Sequence, residues 1–178
     1  LGPVRSQAWG LAVGYIAFVY CTIPLLPEVW AALVGYTDGS IRYLGIALVA
    51  LAGCGFAVSV WRRGRWWPLV ALAGIAPVYG YLLHVYSRFP AERLHLVEYG
   101  LMGYVLLRAL RLDLGRAWAY LASFVLAVLI GIGDECIQWA LPQRFFEVKD
   151  IQLNAQSVAL GLLLARVVGG AGDGDDRA

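Results

Sequence analysis

Charge is scarce in this chain. Of its 178 residues only 15% are Asp, Glu, Lys or Arg and 61% are apolar, against about 25% and 45–50% in soluble domains. That balance, with a mean hydropathy of +0.69, excludes an ordinary soluble enzyme. Basic residues outnumber acidic ones by only 14 to 12, so no sustained basic surface exists to neutralise phosphates, and nucleic acid is not an expected partner. Cysteine is sparse as well. Cys21, Cys54 and Cys136 sit singly inside apolar runs, an odd set without metal-ligand spacing that supports neither a disulfide scaffold nor a zinc module. No cofactor is expected. A charged leader followed by a small-residue cleavage site is missing too, so the first apolar run is read as a span and not as a removable signal peptide. No internal repeat is visible.

Long apolar runs are what the chain has instead. Charge-free stretches cover 6–27, 43–61, 66–87 and 117–133, each near or above the roughly 17–25 residues that a bilayer-crossing helix needs. Two further segments are apolar but less clean: 94–112 carries His95, Glu98, Arg108 and Arg111, and 151–168 carries Gln152, Asn154, Gln156 and Arg166. The pattern predicts an all-α protein, a polytopic transmembrane bundle of about six helices forming one domain over 1–168. Residues 169–178, with Asp173, Asp175 and Asp176, read as a flexible acidic tail.

Orientation follows from the arginines. Arg62, Arg63 and Arg65 crowd one connection and Arg108, Arg111 and Arg116 another, opposed only by Asp113. The positive-inside rule places both connections in the cytoplasm. Two crossings separate them, so six helices with both termini cytoplasmic satisfy the rule throughout. On the first helix Gly10 and Gly14 form a GxxxG pair, read as a close contact within the monomer in preference to a dimer face.

Ionisable side chains at membrane depth cost several kcal/mol and turn toward partners or water-filled cavities. Three clusters stand out. His95, Glu98 and Tyr99 open the fourth predicted helix on one face. Asp134, Glu135 and Gln138 close the fifth. Asp150 and Asn154 enter the sixth at an i,i+4 spacing, followed by Ser157 and Gly161 on about the same stripe, and Arg144 lies in the connection before them. The predicted topology puts all three clusters at the outer side, where they form one site if their helices pack together. Carboxylates in unlike surroundings divide into an acid and a base, so Glu98 with Asp134 or Glu135 is the candidate pair. His95 would shuttle a proton, and the planar fork of Arg144 suits a phosphate or carboxylate. A divalent metal is disfavoured because the acids are dispersed. Two other readings stay open: a structural network that ties three helices together, and an ion or proton path. The path would need polar residues toward the cytoplasm, where the helices offer mainly Ser59, Ser123 and tyrosines.

The ordered series His95-Leu-Val-Glu98-Tyr99-Gly100, Asp134-Glu135-x-x-Gln138, Pro142-x-Arg144, then Asp150 and Asn154 leading to Gly161, resembles the VanZ-like family of small bacterial membrane proteins. The resemblance covers about 95–161. Many members carry an Asp-Lys pair shortly before the histidine, where this chain has Ala91, Glu92 and Arg93, so no role of a lysine there transfers. The family's founding member is associated with resistance to the lipoglycopeptide teicoplanin. The resemblance implies a multi-pass protein of the bacterial inner membrane and a place in the cell envelope. The leading expectation is a protein that acts on or binds a lipid-linked or glycan component at the outer leaflet. His95, Glu98, Asp134 and Glu135 would be its catalytic groups, and Tyr99, Gln138, Arg144, Asp150 and Asn154 its substrate contacts. The competing expectation is an accessory or assembly subunit of a larger membrane complex, its polar cluster structural. Membrane lipids are partners in either case.

Overall fold

The computed structural model of the protein describes residues 2–37, 40–62, 66–85, 92–141 and 146–169. Every regular element among them is helical: α1 (Pro3–Thr22), α2 (Leu26–Tyr36), a short 3-10 helix at Ser40–Tyr43, α3 (Leu44–Arg62), α4 (Trp67–Val85), α5 (Glu92–Leu110), α6 (Arg116–Trp139) and α7 (Val148–Gly169). The all-α expectation therefore holds. The six apolar segments of the sequence become α1, α3, α4, α5, α6 and α7, and α2 is an additional helix that was not foreseen.

Prolines explain it. Pro24 has no N–H to continue α1 and its ring crowds the carbonyl four residues back, so the helix stops at Thr22. The Thr22 hydroxyl donates to the Val19 carbonyl at 2.8 Å, and the Leu25 N–H to the Thr22 carbonyl at 3.0 Å, which closes a tight turn. Pro27 then falls in the first turn of α2, the one place in a helix where a missing N–H costs nothing. The result is an elbow of 69° between two apolar helices. Together α1 and α2 are long and apolar enough to count as one broken span. Among the described residues, α4 and α6 qualify as spans singly.

The packing centres on α5, which lies against α1, α3, α6 and α7, with its most extensive contact on α7. Tyr99, Met102, Leu106 and Ala109 of α5 are sealed in that core beside Ala119 and Ala127 of α6 and Val158 of α7. Two glycines allow the central crossing. A Cβ on Gly161 would stand within 2.8 Å of the Gly100 Cα and carbonyl carbon, so the α5 and α7 backbones touch there.

Hydrogen bonds fix how α1 lies on this core. At one end Asp113, in the turn between α5 and α6, receives Arg5 Nε at 2.6 Å and Trp9 Nε1 at 2.7 Å. Further along, the Tyr15 hydroxyl donates to the Glu98 carbonyl at 3.0 Å and the Tyr20 hydroxyl to the Ile130 carbonyl at 2.9 Å. The start of α1 and the arginine-bearing α5–α6 turn thus share one end of the bundle. The α1–α2 elbow, the start of α5 and the end of α6 share the other. The GxxxG expectation is corrected: Gly10 and Gly14 are exposed and, among the described residues, nothing lies within 4 Å of a Cβ added to either. Tyr15, Tyr20 and the buried Ala12 and Val19 form the inward face of α1 instead.

Candidate functional site

The site grows out of one ridge on α6. Ala119, Ser123, Ala127 and Gly131 recur every four residues and are buried, and their small side chains let α6 approach α5 and α7 closely. Ser123 places no polar demand on its neighbours, since its hydroxyl donates to the Ala119 carbonyl at 2.6 Å. The ridge ends in Asp134, Glu135 and Gln138, which are carried into the same interior at 2%, 0% and 6% exposure. Acids so placed need partners, because an unsatisfied buried oxygen costs about 1–3 kcal/mol.

Asp134 has them. Its Oδ2 accepts from the Tyr99 hydroxyl at 2.8 Å and its Oδ1 from Gln138 Nε2 at 2.9 Å. One bond crosses from α5 and the other comes from the next turn of α6, so the carboxyl is pinned from both sides. Tyr99 is itself held, its ring stacked on His95 with centroids 5.9 Å apart. His95 Nδ1 stands 3.8 Å from Glu98 Oε2, and Glu98 keeps a quarter of its side chain exposed. His95, Glu98, Tyr99, Asp134 and Gln138 thus form one connected group.

A small recess, open on one side, is lined by His95, Glu98, Asp134 and Gln138 on one wall and by Val19, Thr22, Ile23 and Leu26 on the other. The second wall is the α1–α2 elbow. Sequence reasoning missed it, although the Pro24-x-x-Pro27 spacing around Leu25 and Leu26 was its signal. Glu28, which faces solvent in the first turn of α2, starts at this same end of the molecule.

The other expected residues lie behind this recess. Glu135 is fully buried. Its Oε2 accepts the Glu147 backbone N–H at 3.0 Å, which ties the entry of α7 to α6, and its Oε1 has no hydrogen-bond partner among the described residues. Asp150 is buried in the first turn of α7 and its N–H donates to the Glu147 carbonyl. Asn154 is 0% exposed and packs against Gly131, and among the described residues neither amide atom has a hydrogen-bond partner. Ser157 is also buried, but its hydroxyl donates to the Leu153 carbonyl of its own helix. Arg144, with Pro142, falls outside the described residues, as do Arg63, Arg65 and the acidic tail. Among the described residues no three His, Cys, Asp or Glu converge as metal ligands.

A model of the VanZ/LLP1 family matches residues 15–169, from the middle of α1 to the last residue of α7. The chain belongs to the VanZ/LLP1 family. The matched region includes the α1–α2 elbow as well as the polar helices, so both walls of the recess fall within the VanZ/LLP1 match. The chain has no significant match among curated proteins or solved structures. With family membership and helices fit to span a bilayer, it is a helical membrane protein.

Proposed function

We propose that this VanZ/LLP1 protein is a six-pass protein of the bacterial inner membrane with both termini in the cytoplasm. In this reading α2 is a re-entrant or interfacial arm, not a seventh crossing. The Arg5–Asp113–Trp9 contact supports the orientation, because it gathers Arg5 to the same end as Arg108, Arg111 and Arg116. The positive-inside rule then puts that end in the cytoplasm and the recess at the outer leaflet.

The recess binds or acts on an outer-leaflet envelope component, lipid-linked or glycan in nature. The observation that carries this is its two-sided lining: a polar wall of His95, Glu98, Asp134 and Gln138 facing an apolar wall of Val19, Ile23 and Leu26. An amphiphile needs such a pair of walls. Glu98 and His95 are the groups in position to exchange a proton with a bound molecule. Asp134, gripped by Tyr99 and Gln138, positions them, and Glu135, Asp150 and Asn154 form the support behind. Arg144 keeps its proposed role as an anion contact.

The accessory-subunit reading has one specific observation in its favour, that both oxygens of Asp134 are already engaged within the protein. Glu98→Gln and His95→Ala separate the two readings when protein abundance, thermal stability in detergent and sensitivity of the cells to envelope-directed agents are measured together. Loss of the cellular phenotype at unchanged stability supports a working site. Full phenotype in both variants, or stability and phenotype falling together, favours the scaffold.

A further inference from the structure

The outward side of α5 is apolar until its last turn. Leu101 and Tyr104 are exposed there at helical spacing, and Arg108 and Arg111 continue the same stripe. The Arg111 N–H still donates to the Leu107 carbonyl at 3.0 Å, so the two arginines keep the i,i+3 relation of a helix face. With α5 crossing the membrane as proposed above, this stripe meets lipid. A guanidinium on it cannot rest against acyl chains, and its stem carries it to the polar boundary. Arg108 has no acid partner among the described residues. Asp113, in the adjoining turn, is taken by Arg5 Nε and Trp9 Nε1 of α1.

The turn itself has the mixed character of the boundary between headgroups and acyl chains. The Leu110 carbonyl accepts the N–H groups of Asp113 and Leu114 at 3.0 and 2.8 Å, which holds the turn against the end of α5. Leu112 and Leu114 are left exposed between Arg111 and Arg116, and Trp118 is exposed just inside α6. Guanidiniums, leucines and an indole interleaved over 111–118 fit neither water nor hydrocarbon alone.

Resting on that crossing of α5 but not on the recess, we propose that Arg108 and Arg111 bind the phosphate of an anionic phospholipid, its acyl chains lying along Tyr104 and Leu101. Two guanidiniums on one helix face grip a phosphate through parallel hydrogen bonds, and the exposed leucines favour a lipid over a soluble anion. To test this, the purified full-length protein in neutral micelles receives equal concentrations of dioleoyl phosphatidylglycerol and dioleoyl phosphatidylcholine. One-to-one adducts are read by native mass spectrometry, with inorganic phosphate added in a separate arm. Wild type is expected to retain the anionic lipid about tenfold or more over the zwitterionic one. Arg108→Gln with Arg111→Gln should abolish that preference, and Arg108→Lys with Arg111→Lys should keep part of it, since lysine retains the charge but not the fork. Arg62→Gln, an equal charge change at the end of α3, should alter it by about twofold at most. Equal retention of the two lipids by wild type would overturn the site while leaving α5 a crossing, and retention of neither would count against both. An undiminished preference in the double glutamine protein would also overturn the site. Displacement of the anionic lipid by millimolar inorganic phosphate would make it a site for a free anion and overturn the lipid assignment.

Discussion

Replacing Gly161 by alanine tests the crossing on which the site is built. The added Cβ would stand within 2.8 Å of the Gly100 Cα and carbonyl carbon, about 1 Å inside the 3.5–4.0 Å at which carbon atoms pack favourably. Both obstructing atoms are backbone, so no rotamer change relieves the overlap and α5 must move off α7. Overpacking of this kind costs about 1–3 kcal/mol. The rigid backbone on both sides argues for the upper end, and the better helix propensity of alanine returns about 0.5–1 kcal/mol. The expected net loss is about 2 kcal/mol. Because Tyr99 precedes Gly100, the same displacement draws its hydroxyl away from Asp134, so the recess should lose affinity along with stability. Gly10→Ala and Gly14→Ala are the controls. No described residue lies within 4 Å of either added carbon, so both should be neutral or stabilising by up to about 1 kcal/mol. The assay is unfolding in mixed micelles, followed by helical circular dichroism against increasing denaturing detergent. A Gly161→Ala protein as stable as Gly14→Ala would refute the close approach of α5 and α7.

Tyr99→Phe keeps the ring but removes the donor to Asp134 Oδ2. Hydrogen bonds between membrane helices average about 0.6 kcal/mol and reach about 1.7 kcal/mol, and the burial of both partners places this one near the top, at about 1.5 kcal/mol. A double-mutant cycle with Asp134→Asn measures it, and a coupling near zero would show that the bond does not hold the site. Asn154→Ala removes an amide that has no hydrogen-bond partner among the described residues, so the usual penalty for truncating a buried polar side chain should be absent. The expected change is a loss below about 1 kcal/mol or a gain in the same unfolding assay. A loss above about 2 kcal/mol would show that a partner holds the amide.

The sequence made some of this legible because polarity in an apolar helix is conspicuous. His95, Glu98 and Tyr99 share a face by spacing alone, and so do Asp150, Asn154 and Ser157, so their burial on α5 and α7 follows from helical periodicity. The convergence of the first group with Asp134 and Gln138 needed one more step, the crossing sense implied by the arginines. Helix α2 was hidden because two prolines so close together mark a break in a helix, whereas Pro27 in a first turn starts a helix as readily as Pro24 stops one. Gly10 and Gly14 misled for a related reason. A GxxxG pair shows that a close approach is allowed, not that a partner from the same chain occupies it. The division of the acids into a recess group and a buried group also escaped the sequence. Asp134 and Glu135 are adjacent on α6 and differ only in which neighbours α5 and α7 bring to them.

In the proposed orientation the recess at the α1–α2 elbow opens to the extracytoplasmic face, opposite the Arg5 and Asp113 end. Thiol labelling in intact cells with a membrane-impermeant maleimide measures it directly, in a background where Cys21, Cys54 and Cys136, all exposed, are replaced by serine. Thr22→Cys, on the recess wall, is expected to label from outside, while Leu114→Cys, in the α5–α6 turn, labels only after the cells are permeabilised. External labelling of Leu114→Cys with protection of Thr22→Cys would turn the molecule over in the membrane and contradict an outer-leaflet site.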